Sequence, residues 1–206
     1  MLDKVDFQDY DIKVILLGNS GVGKTNLINR SLGNKFNEEE QTTTSASFFA
    51  KELEINNQKC VVNLWDTIGQ EKFRHLTKIF FNNSKIAIFV YDITNRESFE
   101  QLPSWIKDVE EQLGPDIVKG IIGNKMDLFF NEKVTEDEGR KYAESIKANF
   151  LVTSAKDDSP RVFDEFLIKL VLECISKETE SEGDKGGFSL NRENAQKEIK
   201  HNGCCK

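Results

Sequence analysis

The sequence has little of what marks several other classes of protein. It contains four cysteines and three prolines among 206 residues, and no run of about 18 apolar residues. Cys60 and Cys174 stand alone in apolar stretches, which indicates neither a disulfide framework nor a zinc site. The formal net charge of -7 gives no positive excess for the phosphates of DNA or RNA. We therefore expect a cytosolic protein with no nucleic-acid partner, whose membrane contact comes only through a lipid or another protein.

Apolar runs alternate with helical patterns along the chain, and this alternation predicts a parallel sheet with covering helices. Two of the runs flank Asn56 and Asn57, which predicts a hairpin because asparagine tolerates positive φ. The predicted strands are 12–17, 48–55, 59–65, 86–91, 117–122 and 149–152. The expected fold class is therefore α/β, with a six-stranded mixed, mostly parallel sheet and helices on both faces.

Two segments carry the signals of a helix start. Residues 94–97 and 135–138 match the capping box, in which a threonine hydroxyl and a glutamate carboxylate bind the first backbone N–H groups. Pro103 would break a helix that continued from the first box, so a short turn should precede a main helix beginning near the proline. Further helices are predicted at 23–32 and 161–177.

The composition changes near Thr179. From there to Lys206 the chain is rich in glycine, serine and mixed charges and has almost no apolar content. Such a segment cannot bury enough apolar surface to offset the entropy of ordering. We therefore expect one domain at 1–178 and a disordered tail at 179–206.

The clearest motif is a phosphate-binding loop. Residues 18–25, GNSGVGKT, follow a predicted strand and open a predicted helix, which is the context this motif requires. Lys24 should reach the β- and γ-phosphates of a nucleotide, and the Thr25 hydroxyl should bind Mg²⁺. The backbone of the loop should face the phosphates. The remaining residues of this expected contact are Gly18, Ser20, Gly21, Val22 and Gly23.

A second loop predicts guanine as the base. Asn124, Lys125 and Asp127 lie just past the predicted strand 117–122, where the carboxyl ends of parallel strands gather ligands. The Asp127 carboxylate can accept hydrogen bonds from guanine N1–H and from its exocyclic amine, whereas adenine offers no such pair of donors. We expect Lys125 to pack along the base and ribose, and Asn124 to brace the loops.

The next strand end offers another contact to the base. Ser154, Ala155 and Lys156 follow the predicted strand 149–152, and the Ala155 N–H can donate to guanine O6. Polar loops at two successive strand ends favour guanine over adenine.

A third polar segment overlaps the end of the strand 59–65. Residues 65–71 spell WDTIGQE. In such a segment Asp66 can hold a water of Mg²⁺, the Gly69 N–H can meet the γ-phosphate, and Gln70 can orient the attacking water. No motif places an arginine as a finger in cis, so hydrolysis of GTP to GDP should be slow and a GTPase-activating protein is implied.

Together these motifs resemble the Rab family of small GTPases, whose pattern at 65–71 is WDTAGQE. The resemblance covers about residues 9–177. It implies a P-loop NTPase small G domain that acts as a monomeric GTP/GDP switch and recruits effectors in intracellular vesicle trafficking. It also implies a guanine-nucleotide exchange factor, a GTPase-activating protein, and chaperones for prenylation and membrane extraction as partners.

The resemblance assigns roles to residues outside these motifs. Phe36 would lie against the guanine. Thr43, eighteen residues after Thr25, would be the switch-I threonine that closes on Mg²⁺ and the γ-phosphate. Thr42 and Thr44 compete for that role, and only the spacing selects Thr43.

Three aromatic residues, Phe48, Trp65 and Phe80, stand where the Rab family forms an effector-binding surface between its two switches. Burial preferences alone make Trp65 and Phe80 more often core residues. The sequence leaves both interpretations open.

Two adjacent cysteines lie near the end of the chain. Cys204 and Cys205 resemble the Rab terminus on which both thiols receive geranylgeranyl groups. This implies attachment to the cytoplasmic face of intracellular membranes and cycling with the cytosol. Acids and bases balance within 179–206, so the lipids and not charge would supply the anchor. The stretch 114–118 resembles endosomal Rabs and leaves the compartment open.

Two other functions stay open. A metabolic kinase or ATPase would share the phosphate-binding loop, but the short segments between the motifs leave no room for a lid and an acceptor site. A GTP-binding adaptor that barely hydrolyses is favoured by Ile68, which replaces the alanine of the Rab pattern. A β-branched side chain there stiffens and crowds the step before Gly69.

Overall fold

The computed structural model divides the chain into two units, Met1–Cys174 and Ile175–Lys206. The first unit holds all the strands and all but the last of the helices described below. The second unit begins within the last helix. The residues that the structure describes are 12–38, 43, 46–68 and 78–183, with the backbone alone at 181–183.

Six strands form one sheet in the order β2-β3-β1-β4-β5-β6. Within the described residues, only β2 and β3 pair in the antiparallel direction. The strands are β1 (Ile12–Leu17), β2 (Ser47–Ile55), β3 (Gln58–Asp66), β4 (Ile86–Asp92), β5 (Val118–Asn124) and β6 (Asn149–Val152). The predicted six-stranded, mostly parallel sheet is confirmed, with small differences at the strand ends.

The position of each strand follows from its apolar pattern. Every residue of β4 and β5 is buried, because these continuous apolar runs lie inside the sheet. The edge hairpin of β2 and β3 instead includes exposed residues. Asn56 and Asn57 join its strands with φ of 52° and 61°, which confirms the predicted turn.

The helices within the described residues cover the parallel strands. They are α1 (Lys24–Ser31), α2 (Arg96–Glu100), α3 (Leu102–Leu113), α4 (Glu136–Ser145) and α5 (Pro160–Gly183), with 3-10 turns at Lys78–Phe80 and Met126–Asn131. The predicted interruption before Pro103 is confirmed, since α2 ends and α3 begins there. None of the described helices is long and apolar enough to cross a membrane.

The two predicted capping boxes are only partly correct. At α2 the cap is Asn95, whose side chain accepts from the Ser98 N–H at 3.4 Å. Thr94 lies one residue before the cap, and its hydroxyl donates to Asp92 Oδ1 at 2.7 Å. At α4 the Thr135 hydroxyl does accept from the Glu138 N–H at 3.3 Å. The Glu138 carboxylate, however, forms an ion pair with Arg96 of α2 instead of binding the N–H of its own cap.

The last helix is longer than predicted. It ends at Gly183 instead of Lys177, so residues 179–183, which we expected to be disordered, are helical. The remainder of the predicted tail, 184–206, lies outside the described residues. The apolar stripe expected for α5 is buried at Phe163, Phe166, Leu167, Leu170 and Val171.

The sheet brings the sequence motifs to one edge. Because β1, β3, β4, β5 and β6 run parallel, their carboxyl ends meet on the same side of the sheet. The four motifs of the predicted site begin at the carboxyl ends of β1, β3, β5 and β6, whereas Phe36 and Thr43 follow α1.

Candidate nucleotide-binding site

The loop between β1 and α1 requires glycine at two positions. Gly18 has φ of +138°, and a Cβ there would lie 2.1 Å from the Val90 carbonyl oxygen. Gly23 has φ of +96°, and a Cβ there would lie 2.3 Å from Asn124 Nδ2. Any side chain would therefore push the loop away from β4 and from the loop after β5.

The Lys24 side chain is buried against the backbone of this loop. Its Nζ donates to the carbonyl oxygens of Gly18 at 2.8 Å and of Asn19 at 3.0 Å, and the residue is 5% exposed. Burial lowers the Lys24 pKa to about 8, and the nearby Asp66 carboxylate opposes this shift. The ammonium group is thus held, partly desolvated, next to the backbone that would cradle phosphates.

Three oxygen-bearing side chains converge beside Lys24. Thr25 Oγ1 lies 2.6 Å from Asp66 Oδ2 and 2.9 Å from Thr43 Oγ1. Thr43 Oγ1 lies 3.5 Å from the same carboxylate oxygen. Two hydroxyls and one carboxylate are hard oxygen donors of the kind that Mg²⁺ takes, with waters and substrate phosphates as its other ligands. These residues therefore fit a magnesium ion.

The described residues hold no group of three or more histidine, cysteine, aspartate or glutamate side chains that could bind a metal ion.

Asn124 links the phosphate-binding loop to the loop after β6. Its Nδ2 donates to the Val22 carbonyl oxygen at 2.8 Å, and its Oδ1 accepts from the Ala155 N–H at 3.1 Å. The side chain is buried, with the residue 1% exposed. Because both bonds end on backbone, one amide fixes the spacing between the two loops.

The loop after β5 places its other predicted residues around the same region. Lys125 has φ of 70°, and its Nζ lies 2.7 Å from Asp92 Oδ2. Asp127 Oδ1 accepts from the Ser154 hydroxyl at 2.6 Å. The Asp127 carboxylate retains acceptor sites beyond this one, because each carboxylate oxygen has two lone pairs.

A cavity of about 460 Å³ joins these groups. The predicted residues that line it are Ser20, Gly21, Gly23, Lys24, Thr25, Phe36, Thr43, Asn124, Lys125, Asp127, Ala155 and Lys156. Residues of the phosphate-binding loop therefore share one cavity with residues of the loops after β5 and β6. We call the part lined by Lys24 and Thr25 the phosphate end, and the part lined by Asp127, Ala155 and Lys156 the base end, after the contacts predicted for them.

Several predicted residues cannot be placed. Gly69 and Gln70 of the segment after β3, and Cys204 and Cys205 near the chain end, lie outside the described residues. Ile68, which precedes Gly69, is among the described residues and is buried, at 6% exposure.

The three aromatic residues form a row across β2, β3 and the first 3-10 turn. The ring centroids of Phe48 and Trp65 lie 5.5 Å apart, and those of Trp65 and Phe80 lie 5.6 Å apart. Phe48 is 52% exposed, and Trp65 and Phe80 are half-buried. Trp65 is partly buried and packs against the hydrophobic core, so the core and the effector interpretations both stay open. We call these three residues the aromatic row.

Sequence reasoning did not identify three residues that shape the cavity. Asp92 binds Lys125, and Glu38 binds Lys156 at 2.5 Å. Asn19, which accepts from the indole N–H of Trp105 at 3.1 Å, ties the phosphate-binding loop to α3. Two of the three had a local signal, since Asn19 lies within the loop 18–25 and Asp92 ends a buried strand at the edge where ligands gather.

A phosphate-binding loop, an oxygen cluster suited to Mg²⁺ and two polar loops around one cavity define a P-loop nucleotide-binding protein. Residues 13–174 match the Ras family. The chain is 37% identical to human Ras-related protein Rab-21 over 207 residues, which cover 95% of this chain and 91% of that protein. It is 40% identical to bovine Rab-21 over 180 residues, 87% of this chain and 80% of the relative. Ras-related protein Rab11D of Lotus japonicus is 34% identical over 210 residues, 97% and 96% of the two chains.

The chain therefore belongs to the Ras family and, within it, to the Rab small GTPases, which bind guanine nucleotides and hydrolyse GTP. This assignment confirms the predicted fold class and enzyme class. It decides against the alternative of a metabolic kinase or ATPase.

Proposed function

We propose that this chain is a GTP/GDP switch of vesicle trafficking, which takes up Mg²⁺ with its nucleotide and shows effectors a different surface in each state. The observation that carries the proposal is the Asn124 side chain, which binds Val22 of the phosphate-binding loop and Ala155 of a base loop. A nucleotide that fills the cavity must contact both loops, so phosphates and base are recognised together.

At the phosphate end, the residues of the chain bind and orient the phosphates. Lys24 exchanges its backbone carbonyl partners for phosphate oxygens, with little further loss of hydration because it is already buried. Thr25, Thr43 and Asp66 would hold Mg²⁺, directly or through water. When bound, the ion would neutralise negative charge on the phosphates.

At the base end, Asp127 accepts two hydrogen bonds from guanine, and Lys125 covers the base and ribose. The Ala155 N–H already donates to Asn124 Oδ1 at 3.1 Å. A three-centre bond lets the same N–H reach guanine O6. Ser154 positions the Asp127 carboxylate at 2.6 Å, and Phe36 lies against the other side of the base.

The choice of base is tested by Asp127→Asn. The amide presents a donor where guanine also has donors, so GTP affinity should fall at least tenfold, since hydrogen bonds to charged groups contribute about 1.5–3 kcal/mol. Xanthosine triphosphate, with a carbonyl in place of the amine, should bind better than to the wild type. Titration of both nucleotides measures the change. Asp137→Asn, on the exposed face of α4, is the matched control. Unchanged GTP affinity in Asp127→Asn would remove Asp127 from the site.

The switch itself involves Thr43, Gly69 and Gln70. Thr43 and Gly69 respond to the γ-phosphate, and Gln70 orients the attacking water. Effectors contact the aromatic row, whose rings are partly exposed. An exchange factor loads GTP, and a GTPase-activating protein speeds a slow intrinsic reaction.

A second candidate function, a GTP-binding adaptor that barely hydrolyses, is favoured by the buried Ile68. In single-turnover assays with and without cell extract, Ile68→Ala should speed hydrolysis and Gln70→Leu should abolish it. Ile106→Ala also truncates a buried isoleucine but lies in α3, so it controls for lost packing. An unchanged rate in Ile68→Ala would show that Ile68 does not limit hydrolysis.

The tail 179–206 serves as the membrane anchor of the domain 1–178. Two geranylgeranyl chains on Cys204 and Cys205 give stable binding to the cytoplasmic face of an intracellular membrane, whereas one chain of ordinary length is marginal. Prenylation and membrane-extraction chaperones handle the lipidated form. Cell fractionation should find Cys204→Ser weakened at membranes and the double serine variant cytosolic. A double variant that pellets like the wild type would place the anchor elsewhere.

A further inference from the structure

We propose that Glu38 and Lys156 form an ion-pair strap across the base end of the cavity, and that this strap slows the release of bound nucleotide. The proposal rests on the nucleotide-binding function proposed above. It joins Lys156 of the loop after β6 to Glu38, a residue that lies outside the phosphate-binding and base motifs.

The geometry of the pair carries the inference. Lys156 Nζ lies 2.5 Å from Glu38 Oε1, and the two residues are 118 positions apart in the chain. Both line the cavity together with Phe36, whose ring centroid lies 6.0 Å from the same Nζ. Glu38 follows α1, whereas Lys156 follows β6, so the contact joins two different walls of the cavity.

The two walls differ in how firmly they are held. On the Lys156 side, the Ser154 hydroxyl accepts from the Lys156 N–H at 3.2 Å, and Asp158 accepts from the Ser154 N–H at 2.8 Å. Ser154 also donates to Asp127, so this loop is tied to the base-binding loop. Lys156 therefore projects from a well-anchored turn.

On the Glu38 side, residues 34–38 belong to no strand or helix. The Asn34 N–H donates to the Asn29 carbonyl oxygen at 2.9 Å, which holds the start of the segment to α1. Two longer hydrogen bonds from side chains of α1 follow, from Asn26 to the Asn37 carbonyl oxygen at 3.3 Å and from Arg30 to the Asn34 carbonyl oxygen at 3.3 Å. The short ion pair joins the far end of this segment to the firmly held loop. Because Phe36 lies between these attachments, loss of the pair frees the ring that covers the base.

The charges of the pair predict a kinetic effect that depends on salt. The hydrogen bond between the two side chains raises the Lys156 pKa and lowers the Glu38 pKa, so both are charged at neutral pH. The acids Asp127 and Asp157 also act on Lys156. The side chains are 45% and 69% exposed, so salt screens the pair. Exposed pairs contribute little, which limits the expected change in release rate to about two- to fivefold.

The experiment measures dissociation of fluorescent mant-GDP from the full chain, with excess unlabelled GDP and Mg²⁺, at low and high KCl. Glu38→Gln should release the nucleotide about two- to fivefold faster than wild type at low salt, and the difference should vanish at high salt. Lys156→Glu should also release it faster, and adding Glu38→Lys to Lys156→Glu should restore part of the slow rate. A mant-labelled GTP analogue should show the same ratios, because the pair lies at the base end.

Glu52→Gln is the matched control, since Glu52 forms an exposed ion pair with Lys59 at 3.0 Å on the β2–β3 hairpin. Release from Glu38→Gln at the wild-type rate, or no recovery in the charge-reversed double variant, overturns the strap and leaves the proposed function intact. Failure of the wild type to bind either labelled nucleotide overturns the proposed function and the strap with it.

Discussion

The two ends of the cavity each carry a lysine, and the two lysines have opposite environments. Lys24 is 5% exposed, and burial lowers its pKa to about 8. The Lys156 side chain is 45% exposed, and its hydrogen bond to Glu38 raises its pKa. A buried charge has already lost most of its water and acts through a low dielectric, whereas an exposed charge is screened. We therefore expect the phosphate end to set affinity, and the base end to set the choice of base and the rate of release.

The largest expected effect, and the strongest test of the difference between the two ends, comes from Lys24→Met. The substitution removes the buried charge that meets the phosphates, and two lost hydrogen bonds to charged groups, at about 1.5–3 kcal/mol each, predict a loss of at least 100-fold in affinity for GTP and GDP. Stability of the nucleotide-free protein should change little, because a desolvated charge is replaced by an apolar chain of similar length. Nucleotide titration and denaturant unfolding measure the two effects.

Lys156→Met is the matched control for Lys24→Met. It removes the same charge from the other end of the cavity and should change affinity by less than about tenfold, as expected for an exposed lysine. Equal losses in the two variants would mean that burial of Lys24 has no bearing on its strength as a phosphate ligand.

The two ends also differ in how far the sequence predicts them. At the phosphate end, contiguous residues from Gly18 to Thr25 form the loop, and strand and helix patterns on either side fix its place in the fold. Local sequence is sufficient there because the ligand groups are mostly backbone N–H groups of one segment. The strands were also predicted from local sequence, because their length and the turn residues on either side favour strand over helix for these apolar runs.

At the base end, the decisive contacts join distant residues. The pairs of Glu38 with Lys156 and of Asp92 with Lys125 depend on which loops the topology brings together, and charged residues of this kind are common on any surface. The error at α2 has a similar cause. Thr94 fits the capping pattern, but its hydroxyl donates to Asp92, and the helix begins one residue later with Asn95 as its cap.

Asn124→Ala tests whether the phosphate end and the base end of the cavity act independently, because the Asn124 side chain binds the backbone of a loop at each end. Its loss leaves the Val22 carbonyl and the Ala155 N–H without their partner in a buried region. At about 1–3 kcal/mol for each of these two unsatisfied groups, the free energy of unfolding should fall by about 2–6 kcal/mol. Affinity for GTP and GDP should fall about tenfold, because the phosphate and base loops lose their fixed spacing.

Chemical unfolding of the nucleotide-free protein and nucleotide titration measure these two losses separately. Asn131→Ala, which truncates an exposed asparagine at the end of the second 3-10 turn, should change neither. An Asn124→Ala protein that unfolds like the wild type would show that the loops are held together by other contacts.

The smallest expected effect comes from Asp92→Asn, which sharpens the comparison at the base end. Asp92 Oδ2 lies 2.7 Å from Lys125 Nζ, and its Oδ1 accepts from the Thr94 N–H at 2.8 Å. Asparagine keeps an oxygen for Thr94 but removes the charge that orients Lys125, whose side chain is 33% exposed. A partly exposed pair contributes up to about 1 kcal/mol, so affinity should fall about three- to fivefold, and equally for GTP and GDP because Lys125 lies at the base.

Asp137→Asn, which removes the partner of Lys141 on α4, is the control and should bind both nucleotides like the wild type. Titration with both nucleotides decides the matter. A loss as large as that of Lys24→Met would contradict the division of the cavity, because a partly exposed lysine at the base end would then act as strongly as the buried lysine at the phosphate end.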